Sequence, residues 1–234
     1  MKHIFNIEVS GICNNNCEYC PYPTSKRKKG LMDFKTFKIC MDLINELNQN
    51  CISLHNFGEP LVHPDILEFI KYAHNYVDRI SFSTNGILLT RELALALKKA
   101  GLTDLYLSYH DKKIADRAKK NCEGLDLIRA ERRIFSHDWA GTAKKKPLRS
   151  YLIKFMNRPD ICHFVDNDTV TILWDGRINS CCIDMEGLGV LGSIYDENPF
   201  RYKVETFSLC NKCHKPYGEI AKKFYINCTS DLKK

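Results

Sequence analysis

Through its first half the chain alternates short apolar, β-branched runs with longer amphipathic stretches. His3–Val9 is an apolar run that ends at Ser10 and Gly11, and its composition predicts a first strand. From Phe34 to Asn48, apolar residues recur at Phe37, Ile39, Met41, Leu43, Ile44 and Leu47. That density and length predict a helix, with Asp33 as its N-cap. Cys51–His55 predicts a second strand and Asp65–Tyr76 a helix, followed by a third strand at Arg79–Ser83 that ends in the turn Asn85–Gly86. Glu92–Ala100 predicts a helix stopped by Gly101, Asp104–Tyr109 a fourth strand and Lys112–Asn121 a helix. Past Cys122 the pattern weakens. Arg132–Ser136 reads as a fifth strand, Ala140–Pro147 as a basic connection, and a second unit opens near Ser150. Within it, Thr169–Trp174 and Arg177–Cys182 flank Asp175–Gly176, the pattern of a β-hairpin.

Strands alternating with helices of this length predict parallel βαβ units and an α/β fold. In such folds the functional loops leave the C-terminal ends of the strands. Three segments fall there: the cysteine loop after the first strand, Gly58–Glu59–Pro60 after the second, and Asn85–Gly86 after the third. A shared edge would gather them around one cleft.

Composition narrows the class. The 234 residues suffice for one domain and a smaller appendage, and the hydrophobic and charged fractions are those of a globular chain. No apolar run approaches the eighteen or so residues of a membrane span, and the N-terminal residues lack the pattern of a secretory signal. The expectation is a cytoplasmic enzyme. The formal charge of +7 is concentrated in Lys26, Arg27, Lys28 and Lys29 and in Lys144, Lys145 and Lys146. Such clusters could face an acidic redox partner, but solvated loops are the simpler account. No aromatic-interleaved basic stripe points to nucleic acid.

Twelve cysteines change the picture. A disulfide framework suits small secreted domains, so metal ligation is the better expectation here. Cys13, Cys17 and Cys20 place three thiols in one short loop, in the spacing C-x3-C-x2-C. Three ligands suit a four-iron cluster with one iron left open, although a zinc site is the alternative. A second set joins Cys162, Cys181 and the pair Cys210 and Cys213, and zinc and a fully ligated iron–sulfur cluster fit it equally. Cys182 is a doubtful ligand beside Cys181. Cys40, Cys51, Cys122 and Cys228 have no partners at metal spacing and read as small buried residues.

The first cysteine spacing, with an aromatic before the last cysteine, resembles the signature of the radical S-adenosylmethionine (SAM) superfamily. The resemblance extends to Phe57-Gly58-Glu59-Pro60, where the family has GGEP and this chain has Phe57 for the first glycine, and to Thr84-Asn85-Gly86. It implies a partial (β/α)6 TIM barrel with a 4Fe-4S cluster on Cys13, Cys17 and Cys20. Within it, Gly58 and Glu59 would bind the methionine amino group of SAM, Thr84 and Asn85 would lie near the ribose, Tyr19 beside adenine, and Ser108 on SAM. An electron from the cluster then cleaves SAM to methionine and a 5′-deoxyadenosyl radical, which takes hydrogen from the substrate.

The second cysteine set is similar to the Twitch extension of that superfamily, a shortened SPASM domain, which implies an auxiliary 4Fe-4S cluster. The implied division is residues 1–147 for the barrel and 148–234 for a small hairpin-plus-helix auxiliary domain. Within the superfamily the chain most resembles members that oxidise a hydroxyl-bearing carbon of a cyclitol. Such a reaction needs a proton acceptor, and His110 at the end of the fourth strand is the candidate, a structural histidine being the alternative. Asp138 and Trp139 would face the substrate on position alone. A flavodoxin or ferredoxin is the implied reductant, with no nucleic-acid or membrane partner. Peptide crosslinking or epimerisation, the latter with a cysteine as hydrogen donor, are the other reactions open to the same parts.

Overall fold

The computed structural model describes residues 2–108, 111–132, 139–140, 142–143 and 162–213. The elements, in chain order, begin with β1 (His3–Ile7), α1 (Phe34–Glu46), β2 (Cys51–Ser53), α2 (Ile66–Ala73), β3 (Arg79–Thr84) and α3 (Arg91–Ala100). They continue with β4 (Asp104–Ser108), α4 (Lys112–Asn121) and β5 (Ile128–Arg132), and then with α5 (His163–Asp166), β6 (Thr169–Ile172), β7 (Arg177–Asn179) and β8 (Val190–Ser193).

The expected starts and stops of the helices are present. Asp33 accepts a hydrogen bond from the Thr36 amide at 2.7 Å and caps α1. Gly101 ends α3 in the left-handed conformation, φ 108°. β2, β3, β4 and β5 form one parallel sheet in that order. The register sets Ile52 beside Ile80 and Phe82 beside Leu105, and all four belong to the main core with Phe37, Phe69 and Ile70 of the helices. Phe37 stacks on Phe69 with ring centres 4.3 Å apart.

Two features differ from the sequence expectation. A strand runs over Ile128–Arg132, where none was expected before Arg132; of the expected Arg132–Ser136, residues 133–136 lie outside the described ones. Arg129, Glu131 and Arg132 mask its period; among the described residues the strand pairs with β4 alone, and a sheet edge tolerates such charge. Arg129 is anchored by the buried Asp104 at the start of β4.

The second difference is larger. The predicted hairpin exists as antiparallel β6 and β7, but β6 also pairs in parallel with β1 and β8 extends the sheet, giving the order β1-β6-β7-β8. Val170, Ile172, Ile178 and Ile194 thereby join the same core as the first four helices. The second unit is therefore built onto the first strand rather than tethered beside it. No helix among the described residues is long and apolar enough to cross a membrane.

Candidate active site

The loop after β1 carries Cys13, Cys17 and Cys20, all free thiols. Its two ends are closed on each other: the Gly11 amide donates to Gly30 O at 2.8 Å and the Met32 amide to Val9 O at 2.9 Å. Trp174, from the turn between β6 and β7, lies against both glycines, and a Cβ on Gly11 or Gly30 would strike its indole. The Trp174 indole N–H donates to Lys28 O at 3.2 Å.

Below this loop sits an ion pair that the sequence pattern conceals. The two terminal nitrogens of the Arg27 guanidinium donate to Glu8, at 2.7 and 2.8 Å, and both side chains are buried. The same carboxylate accepts the Phe57 amide at 3.2 Å and the Trp174 amide at 3.3 Å. Burial pushes the Glu8 carboxyl up, while Arg27 and the two amides oppose it. One carboxylate thus ties the end of β1 to the cysteine loop, the loop after β2 and the hairpin. Lys26, Lys28 and Lys29 are exposed as expected, but Arg27 is not the solvated cation its neighbours suggest.

The loop after β2 threads against the cysteine loop. Gly58 has φ 86°, and a side chain there would collide with the Ser10 and Ile12 carbonyl oxygens, so the position demands glycine. The Glu59 amide donates to Ile12 O at 2.8 Å. Inside, the Glu59 carboxylate accepts the Thr84 hydroxyl at 2.7 Å, the Asn85 amide at 2.7 Å and the Leu61 amide at 3.2 Å. Burial raises its pKa to about 7 against these donors. Asn85 then reaches the cysteine loop, its side-chain amide donating to Asn14 Oδ1 at 2.8 Å and approaching Cys13 Sγ at 4.0 Å. Three strand-end loops separated by seventy residues of chain are therefore wired together.

The three sulfurs share an electrostatic environment. Burial raises the Cys17 thiol to about 12, with Cys20 and Cys13 adding to the rise. Burial likewise raises Cys20 to about 11, while the Tyr22 amide and Lys29 pull the other way. The part of the rise that comes from the neighbouring sulfurs reflects how closely Cys13, Cys17 and Cys20 are gathered. Backbone N–H groups of Asn14 and Asn15 also meet Cys13 sulfur, the kind of contact that tunes a cluster's potential. The donor set fits a cluster with three protein ligands. Tyr22 holds the loop from within, its hydroxyl accepting the Cys13 amide at 2.9 Å, and packs with Phe57 and Met185 against Cys13 and Cys20.

The second set also gathers. Burial drives the Cys181 thiol well up, with Cys182, Cys213 and Cys162 as neighbouring contributors. Cys162, Cys181 and Cys213 pack around Phe164, Ile183 and Leu209. Cys210 sits in the short helical turn Ser208–Lys212, where its sulfur accepts the Phe207 amide at 3.4 Å. Trp139 touches this group and also the Tyr22–Phe57–Met185 group, so apolar side chains fill the space between the two cysteine sets. Among the described residues no three His, Cys, Asp or Glu side chains are gathered closely enough to hold a metal ion as they stand.

Of the other residues singled out, Tyr19 is half-buried in the cysteine loop and Ser108 is buried at the end of β4. His110 and Asp138 lie outside the described residues. Cys40, Cys51 and Cys122 are buried as expected, and Cys51 is in addition disulfide-bonded. Glu8, Arg27, Tyr22, Trp174 and Met185 are the site residues that sequence reasoning missed. Glu8 alone gave a signal, as an acid at the end of an apolar strand.

Comparison with known proteins agrees with this geometry. The model of the radical SAM superfamily matches residues 7–111. The S-adenosyl-L-methionine-dependent 2-deoxy-scyllo-inosamine dehydrogenase of Niallia circulans is 32% identical over 111 residues, covering 46% of this chain and 44% of that protein. The mycofactocin maturase MftC of Mycobacterium tuberculosis is 33% identical over 103 residues, 43% of this chain and 26% of that one. The matched stretch thus spans less than half the length of these curated relatives. Among solved structures, BtrN in complex with AdoMet and 2-DOIA superposes with a TM-score of 0.70 at 20% identity, over 97% of this chain and 89% of that one, which shows a shared fold. The cysteine loop, the Gly58–Glu59 loop and the Thr84–Asn85 loop all lie within residues 7–111, the stretch that is similar to the radical SAM superfamily.

Proposed function

We propose that this protein is a radical SAM oxidoreductase that oxidises a hydroxyl-bearing carbon of a small sugar-like or cyclitol-like substrate. The observation that carries the reading is the convergence of three free thiols, Glu59 and Asn85 at one end of a parallel sheet. When bound, SAM and a 4Fe-4S cluster would supply a 5′-deoxyadenosyl radical that removes a substrate hydrogen, and an auxiliary 4Fe-4S cluster would take up the remaining electron.

The chain's own residues would then do the following. Cys13, Cys17 and Cys20 hold the first cluster, and Cys162, Cys181, Cys210 and Cys213 the auxiliary one. Gly58 lets the loop after β2 close on the Ser10 and Ile12 carbonyls, the Gly58–Glu59 segment binds the methionine amine, and Glu59 fixes Thr84 and Asn85 in place near the ribose. Tyr19 and Ser108 complete the SAM site, and His110, two residues beyond Ser108, accepts the hydroxyl proton. The apolar layer of Phe57, Met185 and Trp139 keeps water from the space between the clusters. We read the architecture as a partial barrel with a Twitch-like extension, in which the division near residue 147 separates roles rather than folding units. A ferredoxin or flavodoxin is the reductant this reading implies.

The dehydrogenase relative favours alcohol oxidation, whereas the maturase relative keeps peptide modification as the second reading. Turnover in deuterated water with a panel of inositols, aminocyclitols and hexoses separates them. Oxidation consumes one SAM per ketone formed and leaves the reacting carbon free of solvent deuterium. Deuterium installed at that carbon would favour epimerisation, and absence of any oxidised product across the panel would count against the proposal.

A further inference from the structure

The run Lys26-Arg27-Lys28-Lys29 is built differently from a solvated loop. Arg27 turns inward onto Glu8, while Lys26, Lys28 and Lys29 stay exposed on the outside. Its neighbours are held as well. The Lys26 and Arg27 amides donate to the Glu186 carboxylate at 3.1–3.2 Å, and Lys28 O accepts the Trp174 indole N–H at 3.2 Å. Lys29 Nζ donates to Tyr22 O at 3.2 Å and lies 3.9 Å from the centre of the Tyr22 ring. Part of the entropy cost of presenting three ammonium groups together is therefore met on folding. A run that serves solubility alone needs no such framework.

The framework sets the lysines at the rim of the cysteine loop. Tyr22 belongs to the apolar group packed against Cys13 and Cys20, and the Lys29 charge is felt at Cys20. Little negative charge offsets them. Glu18 is the only acidic residue between Gly11 and Met32, and Glu186 is engaged by the two amides. Leu188, two residues beyond Glu186, is 62% exposed and adds an apolar spot to the same rim. The basic pairs Lys98–Lys99 and Lys119–Lys120 end α3 and α4. Helices of βαβ units run back to the starts of the strands, so those pairs lie at the opposite end of the parallel sheet from its functional loops.

We propose that Lys26, Lys28 and Lys29 form the docking face for a small acidic one-electron carrier protein, which reduces the group held by Cys13, Cys17 and Cys20 from the side of the cysteine loop. Electron transfer weakens steeply with distance, so a donor must dock beside that loop. Redox encounters bury little area, and complementary charge supplies their speed and their choice of partner. Three fixed ammonium groups around one exposed leucine suit such an encounter and repel a basic carrier. In the step itself one electron leaves the carrier's reduced centre and enters the 4Fe-4S cluster, with no bond formed or broken. The inference rests on the cluster within the oxidoreductase reading and names the face through which it is reduced.

Stopped-flow oxidation of flavodoxin hydroquinone by the iron-loaded holoenzyme tests it, with calorimetric titration of oxidised flavodoxin as a second readout. The variants are Lys26→Glu with Lys28→Glu, and Lys98→Glu with Lys99→Glu as the far-end control; Lys29 is left in place because it touches Tyr22. The expected result is a wild-type rate that falls as salt rises. At low salt the rim reversal should slow it at least about tenfold and weaken flavodoxin binding in step, while the far-end reversal stays within about twofold of wild type. Excess dithionite should reduce the cluster to the same endpoint in all three proteins. Should the rim reversal fail to take up iron, Lys26→Ala with Lys28→Ala decides, with a smaller loss in the same direction. The proposal is overturned if the rim variants match the wild type, if the wild-type rate ignores salt, or if the far-end reversal slows it equally. Nucleic acid retained by the wild type and lost with the rim charges, at an unchanged flavodoxin rate, would assign the face to a polyanion instead. Failure of the reduced wild type to cleave SAM, with flavodoxin oxidation still dependent on the rim, would remove the radical reading and leave the docking face supported.

Discussion

Glu59 shows how one side chain can organise a site without meeting solvent. Its two oxygens gather the Thr84 hydroxyl and the Asn85 and Leu61 amides, and burial raises its pKa from 4.5 to about 7. The folded protein therefore holds a proton that the unfolded chain releases at lower pH. Its contribution to stability is fully present below the unfolded value and is lost as pH rises through about 7. Urea unfolding of the cluster-free protein should show this directly. Relative to Glu59→Gln, which does not titrate, the wild type should lose stability steadily from pH 5 to pH 8. A difference independent of pH would mean that Glu59 is already ionised throughout. This glutamate was legible in the sequence because it sits in a short recognisable motif. Arg27 was not, because nothing in a run of four cations distinguishes the one that turns inward.

At the scale of elements, the Glu8–Arg27 pair is the junction. It joins the end of β1, the cysteine loop, the loop after β2 and the hairpin turn through one carboxylate. Replacing Arg27 by Met leaves a buried carboxylate without its counter-charge, a change that costs about 3–5 kcal/mol in comparable sites. The double replacement Glu8→Gln with Arg27→Met removes the orphan charge and should recover a good part of that loss. Chemical denaturation of the two single variants and the double completes the cycle, and additive losses would contradict the junction. The strands and helices themselves were largely readable, since their apolar period and caps are local. The stretch Ile128–Glu131 of β5 was missed because its charges broke the apolar period. β8 was missed because Val190–Ser193 is too short to declare itself, and the parallel pairing of β6 onto β1 joins residues more than 160 positions apart.

At the scale of the whole molecule, that pairing means the later residues complete the earlier ones. β6 supplies a neighbour for β1, Trp174 fills the space against Gly11 and Gly30, and Met185 packs against Tyr22 and Phe57. Glu186 accepts the Lys26 and Arg27 amides at 3.1–3.2 Å. A chain ended at residue 147 would expose one edge of β1 and the apolar underside of the cysteine loop. It should aggregate or unfold without a cooperative transition, as calorimetry would report. A sharp, reversible transition for that fragment would show that the first 147 residues fold by themselves. The two cysteine sets were visible in the sequence as spacings, but the packing of Trp139 against both belongs to the tertiary structure alone.

The central claim is that three thiols on one loop hold a group able to cleave SAM reductively. The most direct measurement is 5′-deoxyadenosine formed from SAM by anaerobically reconstituted, dithionite-reduced protein, compared with the variant carrying Cys13→Ala, Cys17→Ala and Cys20→Ala. The account predicts stoichiometric or greater formation by the wild type and none by the variant. Equal formation by both, or none by a wild type that has taken up its iron, would contradict it.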